Sequence, residues 1–257
     1  MIKFQPPIIV GNWKTTPATL QEALSFVRRL DTKCSSPKVK LPKKAYYLAT
    51  PEIFIPHLQK IIRKGVVGAE NVTGLELGQR TGAEVPSQLK SGGASFVIIG
   101  HSEVRAQGET VEARARKVAL SLQSGLPTIL CVGEHERDKD GKYLSALEAD
   151  ITQSLSLVER KLFDNLVIAY EPVWAIGGTT PATVSECFEV TIALRRALSS
   201  LVGIDYAKKV KILYGGAVTN DTAKKFIEEG GVDGLLIGRA SQDVGTFFDI
   251  LSSCHSK

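Results

Sequence analysis

Apolar residues recur along the chain in short, nearly continuous runs of five to seven residues. Such runs do not alternate with polar residues, which is typical of parallel strands that are buried on both faces. We predict eight strands on this basis: Pro7–Trp13, Ala45–Ala49, Val66–Asn71, Ser95–His101, Thr128–Glu134, Leu166–Glu171, Lys211–Gly215 and Gly234–Gly238.

Amphipathic stretches separate these runs, and three of them carry helix boundary signals. Pro17–Leu30 predicts a helix with Thr16 as its N-cap and proline at its first position. The residues Thr183–Glu186 form a capping-box sequence that opens a helix running towards Ser200. Asp221–Glu229 precedes two glycines, which is a typical helix stop.

Eight strands that alternate with helices favour either a closed (β/α)8 barrel or a doubly wound open sheet. The chain has 257 residues, and a (β/α)8 barrel typically takes about 250 residues as one domain. No change in composition marks a second domain. We therefore predict an α/β fold in which residues 1–257 form a single (β/α)8 barrel.

The net charge of +5 comes from 32 basic and 27 acidic residues. The basic residues are scattered and mixed with acids, as in Glu112–Lys117, which indicates solvated helix faces and not a nucleic-acid-binding stripe. We therefore expect no nucleic-acid partner.

The cysteines are far apart in the sequence and form no C-x-x-C pair. Cys131 and Cys187 lie in apolar segments and are predicted to be buried thiols, so we expect neither a disulfide framework nor a metal site. We find no signal peptide and no apolar run of the roughly 18 residues that cross a bilayer. A cytoplasmic location without membrane association is the expectation.

Polar residues stand where three of the predicted strands end. Strand 1 ends in Asn12-Trp-Lys14, strand 4 in Gly100-His-Ser-Glu103 and strand 6 in Tyr170-Glu-Pro172. Barrel proteins carry their chemistry at these carboxyl ends. Glycines follow strands 6, 7 and 8, and their backbone N–H groups are suited to binding a phosphate.

A cation, an imidazole and a carboxylate at one barrel mouth suit the removal of a proton next to a carbonyl group. Each residue alone also has a plain structural interpretation. Lys14 resembles a surface charge, His101 a hydrogen-bonded structural residue and Glu171 a helix cap. Their joint position favours the catalytic interpretation. No nucleotide-binding glycine motif is present, so we expect no cofactor.

Four segments together resemble the signatures of the triosephosphate isomerase family. They are Gly11-Asn-Trp-Lys14, Gly100-His-Ser-Glu103, Ala169-Tyr-Glu-Pro-Val-Trp-Ala-Ile-Gly177 and Leu213-Tyr-Gly-Gly216, in the family's order. The resemblance runs along nearly the whole chain and implies a TIM barrel. It also implies an aldose–ketose isomerase that interconverts dihydroxyacetone phosphate and glyceraldehyde 3-phosphate in glycolysis and gluconeogenesis, without a cofactor.

The resemblance implies a role for each of five catalytic residues. Glu171 would be the base, His101 the neutral electrophile and Lys14 the positive charge at the substrate. Asn12 would donate a hydrogen bond nearby, and Glu103 would support the site from behind.

It further implies that Asn12, Lys14 and four residues of the glycine loops bind the substrate and its phosphate: Gly177, Ala217, Gly238 and Arg239. Pro172–Thr180 resembles a lid that closes over the site. Family members act as homodimers or larger assemblies. In them, the loop after strand 3 enters the neighbouring subunit, and here Thr81 would be its tip.

Several positions depart from the family's pattern and leave alternatives open. Arg239 replaces a second glycine, Ala217 replaces a serine, and Gly178–Pro181 replaces the usual lid tip. Similar lid and arginine features occur in related isomerases of a four-carbon ketose phosphate (the L-erythrulose 1-phosphate type), which is the main alternative. The others are a non-catalytic phosphate-binding scaffold and a flavin- or nucleotide-binding barrel.

Overall fold

A computed structural model describes residues 3–175 and 181–256. In these residues eight parallel strands form a closed barrel in chain order, and the last strand pairs with the first. The strands are β1 Ile8–Asn12, β2 Tyr46–Thr50, β3 Gly65–Ala69, β4 Val97–Ile99, β5 Thr128–Val132, β6 Leu166–Tyr170, β7 Lys211–Tyr214 and β8 Gly234–Ile237. Each lies within two residues of its predicted bounds, and the closed barrel is confirmed over the open sheet.

Helices connect consecutive strands and cover the outside of the barrel. They are α1 Leu20–Cys34, α2 Ile55–Leu58, α3 Pro86–Ser91, α4 Ser102–Ala106, α5 Val111–Gln123, α6 Lys142–Ser154, α7 Val184–Val202, α8 Ile204–Ala207, α9 Asn220–Glu229 and α10 Val244–His255. Short 3₁₀ helices lie at Glu52–Phe54, Arg160–Asn165, Val173–Ala175 and Arg239–Gln242.

Alternate residues of each strand belong to two separate apolar clusters, which explains why the runs are continuously hydrophobic. Ile8 and Val10 of β1 pack inside the barrel with residues such as Phe96. Ile9 packs with Val27 of α1 in the cluster between the barrel and the helices. Both faces of each strand are therefore buried away from water in the folded chain.

The start of α1 differs from the prediction. The N-cap is Thr19 and not Thr16, and Thr19 forms a capping box with Glu22: each side chain accepts a hydrogen bond from the other residue's backbone N–H. Thr16 is engaged elsewhere, because its hydroxyl donates to the Trp13 carbonyl at 2.7 Å. The reciprocal pair satisfies two orphan donors at once, which a lone threonine beside a proline cannot do.

The other two helix signals are confirmed. Thr183 caps α7, and the Glu186 carboxylate accepts from the Thr183 N–H at 2.7 Å. Helix α9 ends at Glu229, and Gly230 is its C-cap.

The four cysteines are free thiols, and Cys131 and Cys187 are buried as predicted. None of the helices in the described part of the chain is both long and apolar enough to cross a membrane. Within residues 3–175 and 181–256, no three His, Cys, Asp or Glu side chains group closely enough to hold a metal ion.

Candidate active site

The predicted polar residues converge at the carboxyl ends of the strands. Asn12 is the last residue of β1, Glu171 directly follows β6, and His101 lies between β4 and α4. Together with Lys14 they line one cavity of about 450 Å³. Ala217, Gly238 and Arg239 line the same cavity. Residues from remote parts of the sequence therefore meet at one mouth of the barrel.

The Glu171 side chain is 1% exposed, and a nitrogen atom lies close to each of its carboxylate oxygens. The Ser102 backbone N–H donates to Oε2 at 2.9 Å. The His101 ring nitrogen Nε2 lies 3.2 Å from Oε1. A buried carboxylate is costly unless it has such partners. The donors and the surrounding backbone therefore fix where this carboxylate lies.

Two glycines make room for Glu171. A Cβ atom on Gly133 would lie 1.7 Å from the Glu171 carbonyl oxygen, and one on Gly215 would lie 3.0 Å from its Cγ. The backbone and side chain of Glu171 thus pack directly against neighbouring strand ends. Sequence analysis considered the glycine after β7 only as a phosphate loop and missed this packing role.

The hydrogen bonds of His101 define its neutral tautomer. Its Nδ1 accepts the backbone N–H of Glu103 at 3.2 Å, at the N-terminus of α4. A nitrogen that accepts a hydrogen bond carries no proton, so Nε2 carries it in the neutral ring. The Nε2–H group therefore points towards Glu171 and the cavity, where it can donate to a substrate oxygen.

Lys14 adopts a backbone conformation that is rare for a residue with a side chain. Its φ is +57°, and its N–H donates to Asn12 Oδ1 at 3.1 Å. Such left-handed positions cost energy and cluster at functional sites. The Lys14 ammonium forms an ion pair with Glu103, whose side chain is 53% exposed and does not line the cavity. Asn12 and Glu103 thus orient Lys14 from two sides.

The 3₁₀ helix after β8 ties the side of the cavity lined by Gly238 and Arg239 to the end of β1. The Gln242 amide donates to the Trp13 carbonyl at 3.0 Å, and the Ser241 hydroxyl donates to the Gly238 carbonyl at 2.7 Å. Arg239 is exposed at the cavity rim. These contacts hold the loops after β1 and β8 in a fixed relation.

The structure does not place Gly177 or Thr81 in this cavity. Gly177 lies outside the described residues, as does most of the predicted lid Pro172–Thr180, of which only Pro172–Ala175 is described. Thr81 is exposed and does not line the cavity of its own chain.

The site also involves residues that sequence analysis did not single out. Ser102 directly follows the histidine of its motif, but no sequence pattern shows that its N–H reaches a glutamate 69 positions away. Asp243 and Thr246, at the start of α10, line the far side of the cavity. Only the closure of the barrel brings them there.

Two neighbouring groups have raised pKa values. Burial raises the pKa of the Cys131 thiol, and the negative charge of Glu171 raises it further, so Cys131 is a neutral neighbour of the carboxylate. Burial, followed by repulsion from Glu52, raises the pKa of Glu70 to about 9. Glu70 follows β3, and sequence analysis did not identify it.

A second polar cluster surrounds Glu134, just after β5. Glu134 Oε1 accepts hydrogen bonds from Arg137 Nε at 2.9 Å, Tyr170 Oη at 2.9 Å and Trp174 Nε1 at 2.8 Å. The Glu134 carbonyl oxygen accepts the Val173 N–H at 3.0 Å. These contacts hold the chain on both sides of Glu171.

The closed barrel with a polar cavity at the carboxyl ends of its strands places the chain among the (β/α)8-barrel enzymes. Comparisons with known proteins narrow this class. The family profile described as "Triosephosphate isomerase" matches residues 7–254. The chain belongs to the triosephosphate isomerase family.

Individual relatives agree with this assignment. The chain is 37% identical to "Triosephosphate isomerase" of Cytophaga hutchinsonii over 250 residues, which cover 96% of this chain and 98% of the relative. It is 36% identical to the protein of that name from Thermoanaerobacter pseudethanolicus, with the same coverage. The protein of that name from the fungus Coprinopsis cinerea is 33% identical over 246 residues, 95% of this chain and 96% of the relative.

Proposed function

We propose that this chain interconverts dihydroxyacetone phosphate and D-glyceraldehyde 3-phosphate through an enediolate, with Glu171 as the base. The observation that carries the proposal is the 3.2 Å contact between Glu171 Oε1 and His101 Nε2 inside the shared cavity. It pairs a carboxylate with a neutral hydrogen-bond donor. Proton transfer at a carbon next to a carbonyl group needs both.

The reaction moves two protons within the substrate, one from C1 to C2 and one from the C1 oxygen to the C2 oxygen. The Glu171 carboxylate takes a proton from C1 of the ketose, and the C–H electron pair forms the C1–C2 double bond as negative charge develops on the carbonyl oxygen. The His101 Nε2–H and the Lys14 ammonium stabilise this charge where it develops. Glu171 then returns the proton to C2, while the hydroxyl proton on the C1 oxygen moves to the C2 oxygen, so that the C1 carbonyl of the aldose forms.

The contacts of Glu171 require one change during this cycle. Its Oε2 accepts a hydrogen bond from the Ser102 N–H, and its Oε1 lies 3.2 Å from His101 Nε2. To reach a substrate carbon, the carboxylate must exchange the Ser102 N–H for the substrate. Burial of the site supports this role, because preorganised groups act most strongly where water is excluded.

The names of the relatives favour the three-carbon substrate over the four-carbon ketose phosphate. Comparing kcat/KM of the purified enzyme for dihydroxyacetone phosphate and for L-erythrulose 1-phosphate tests this choice directly. We expect a large preference for the three-carbon ketose. A preference for the four-carbon ketose would overturn the substrate assignment, and absence of turnover with both would overturn the catalytic one.

We propose that the substrate phosphate lies between Gly177, Ala217, Gly238 and Arg239, next to Asn12 and Lys14. The cavity lining by Ala217, Gly238 and Arg239 supports this position, and a guanidinium adds charge-assisted hydrogen bonds to phosphate. We expect Arg239→Gly to raise KM or change substrate preference while the melting temperature stays the same. Loss of folded protein would instead identify Arg239 as a structural residue.

We also propose that the chain acts as a homodimer, with Thr81 at the interface, in the cytoplasm. Exposed apolar residues near Thr81 support this proposal: Leu77 is 72% exposed and Ile53 is 75% exposed. Large apolar side chains that are exposed close together are typical of surfaces at which two protein chains associate. Analytical ultracentrifugation is expected to give twice the 27.8 kDa chain mass, and Leu77→Asp is expected to shift the equilibrium towards monomer.

A further inference from the structure

Arg137 lies behind the active site and contacts the chain on both sides of Glu171. Its Nε donates to Glu134 at 2.9 Å, and its Nη2 donates to the Tyr170 hydroxyl at 3.0 Å. Tyr170 immediately precedes Glu171. On the other side, the Arg137 guanidinium carbon lies 5.3 Å from the ring centroid of Trp174. A guanidinium stacks well on an aromatic face and also forms planar hydrogen bonds.

The same guanidinium reaches the first turn of α7. Its Nη1 lies 3.6 Å from a carboxylate oxygen of Glu186 and 3.6 Å from one of Glu189. Glu186 is also the partner of Thr183 in the capping box that begins α7. The position of this helix start is thus linked to Arg137 by the Glu186 carboxylate.

Through these contacts Arg137 connects Trp174 with the start of α7, which lie on either side of the undescribed residues. Trp174 is the last residue but one before the undescribed residues 176–180, and Thr183 follows soon after them. The Arg137 side chain, which is 16% exposed, therefore contacts both the segment that follows Glu171 and the start of α7.

We infer that Arg137 is a positioning residue, which sets the location of the Glu171 carboxylate by holding Tyr170 and Trp174 around it and by fixing the start of α7. This inference rests on the proposed role of Glu171 as the base. Arg137 itself does not line the cavity, so it acts through its neighbours. Misplacement of a catalytic group by about 1 Å can cost up to roughly 10²-fold in rate.

The test compares Arg137→Met, which removes the charge and the planar guanidinium donors, with Arg137→Lys, which keeps the charge but not the planar group. We expect Arg137→Met to lower kcat by roughly 10- to 100-fold with a much smaller change in KM. Arg137→Lys is expected to recover only part of this loss, because an ammonium can neither stack as a plane nor bind in two directions. The matched control is Arg196→Met, which removes an exposed arginine that pairs with Glu148.

Tryptophan fluorescence provides a readout that does not depend on turnover. We expect Arg137→Met to shift the emission maximum, and we expect the shift to disappear in a Trp174→Phe background. A kcat within twofold of wild type together with unchanged emission would overturn the inference, including when the melting temperature falls. If the wild-type enzyme does not turn over triose phosphate, the proposed function fails, and the fluorescence result still decides whether Arg137 positions Trp174.

Discussion

Two glutamates in this barrel occupy equivalent places but have different surroundings. Glu171 directly follows β6 and Glu70 directly follows β3. Oε2 of Glu171 accepts a hydrogen bond from the Ser102 N–H, and Oε1 lies 3.2 Å from His101 Nε2. In the described part of the chain Oε1 of Glu70 is buried and accepts no hydrogen bond, and the pKa of Glu70 is raised to about 9 by burial and by repulsion from Glu52.

The difference shows that a strand end does not by itself make a catalytic carboxylate. The Ser102 N–H at the start of α4 and the adjacent His101 ring hold the carboxylate of Glu171 in a defined place at the cavity. Glu70 faces other acids, Glu52 and Glu103, and Lys14 offers opposing charge. The same residue type after a barrel strand is therefore expected to serve catalysis at one position and to cost stability at the other.

The largest expected effect comes from making the same substitution at both sites. Glu171→Gln keeps the size of the side chain but removes the base, so we expect kcat to fall by roughly 10²- to 10⁴-fold. Glu70→Gln is the matched control and is expected to stay within a few-fold of wild type. Steady-state kinetics of both variants checks this, and equal losses would show that the two sites do not differ as described.

The second effect concerns the free energy of unfolding. Here we expect the larger gain from the substitution at Glu70 and not from the one at Glu171. Glu70→Gln removes a group that is uncharged in the folded chain but ionised in the unfolded chain at pH 7. We expect it to raise the free energy of unfolding by about 3 kcal/mol at pH 7. Urea unfolding at a fixed protein concentration measures it. An unchanged or lower stability would contradict the unfavourable burial of Glu70.

The same group predicts a direction for the pH dependence. The folded chain keeps the Glu70 proton up to a pKa of about 9, whereas the unfolded chain loses it near the usual value of 4.5. Between these values the unfolded state binds fewer protons, so the Glu70 contribution to stability falls as the pH rises. We expect the wild type to lose stability more steeply than Glu70→Gln between pH 5 and 9 (about the span of the two pKa values). Parallel curves would contradict this.

The smallest effect tests the backbone donor that distinguishes Glu171. Ser102 is the first residue of α4, and His101 before it has φ −53° and ψ 141°, so proline fits there without distorting the helix. Ser102→Pro removes the N–H that donates to Glu171, together with the Ser102 hydroxyl. We expect a stability loss of about 1–3 kcal/mol and a shift of the acidic limb of the kcat/KM profile to higher pH.

The control for this variant is Ser102→Ala, which keeps the N–H group. We expect Ser102→Ala to match the wild type in both the pH profile and the unfolding midpoint. If both variants behave alike, the Ser102 backbone donor does not matter to Glu171.

The barrel and the place of the site were predictable because local patterns specify them. Continuous apolar runs identify doubly buried strands, and parallel strands bring their carboxyl ends to one edge, so Asn12, His101 and Glu171 had to lie near one another. The family resemblance then implied their roles. The predicted start of α1 was wrong because the hydroxyl of Thr16 forms a hydrogen bond within its own loop. No helix boundary signal in the sequence indicates this bond.

Other features depend on contacts between distant segments. The need for glycine at position 133 arises from the Glu171 carbonyl oxygen, and the raised pKa of Glu70 arises from burial and then from repulsion by Glu52. Arg137 links β6 to α7 through side-chain geometry. Periodicity and motif spacing contain no information on such approaches, so these features appear only in the folded chain.

The most direct test of the central claim follows the proton itself. Dihydroxyacetone phosphate is incubated in D₂O with the wild type or with Glu171→Gln, and deuterium at carbon is followed by proton NMR. The account predicts that the wild type incorporates deuterium at the carbon-bound positions that the enediolate exposes, while the Glu171→Gln variant slows this incorporation by the same roughly 10²- to 10⁴-fold factor as turnover. Exchange at the wild-type rate in the variant would show that another group removes the proton.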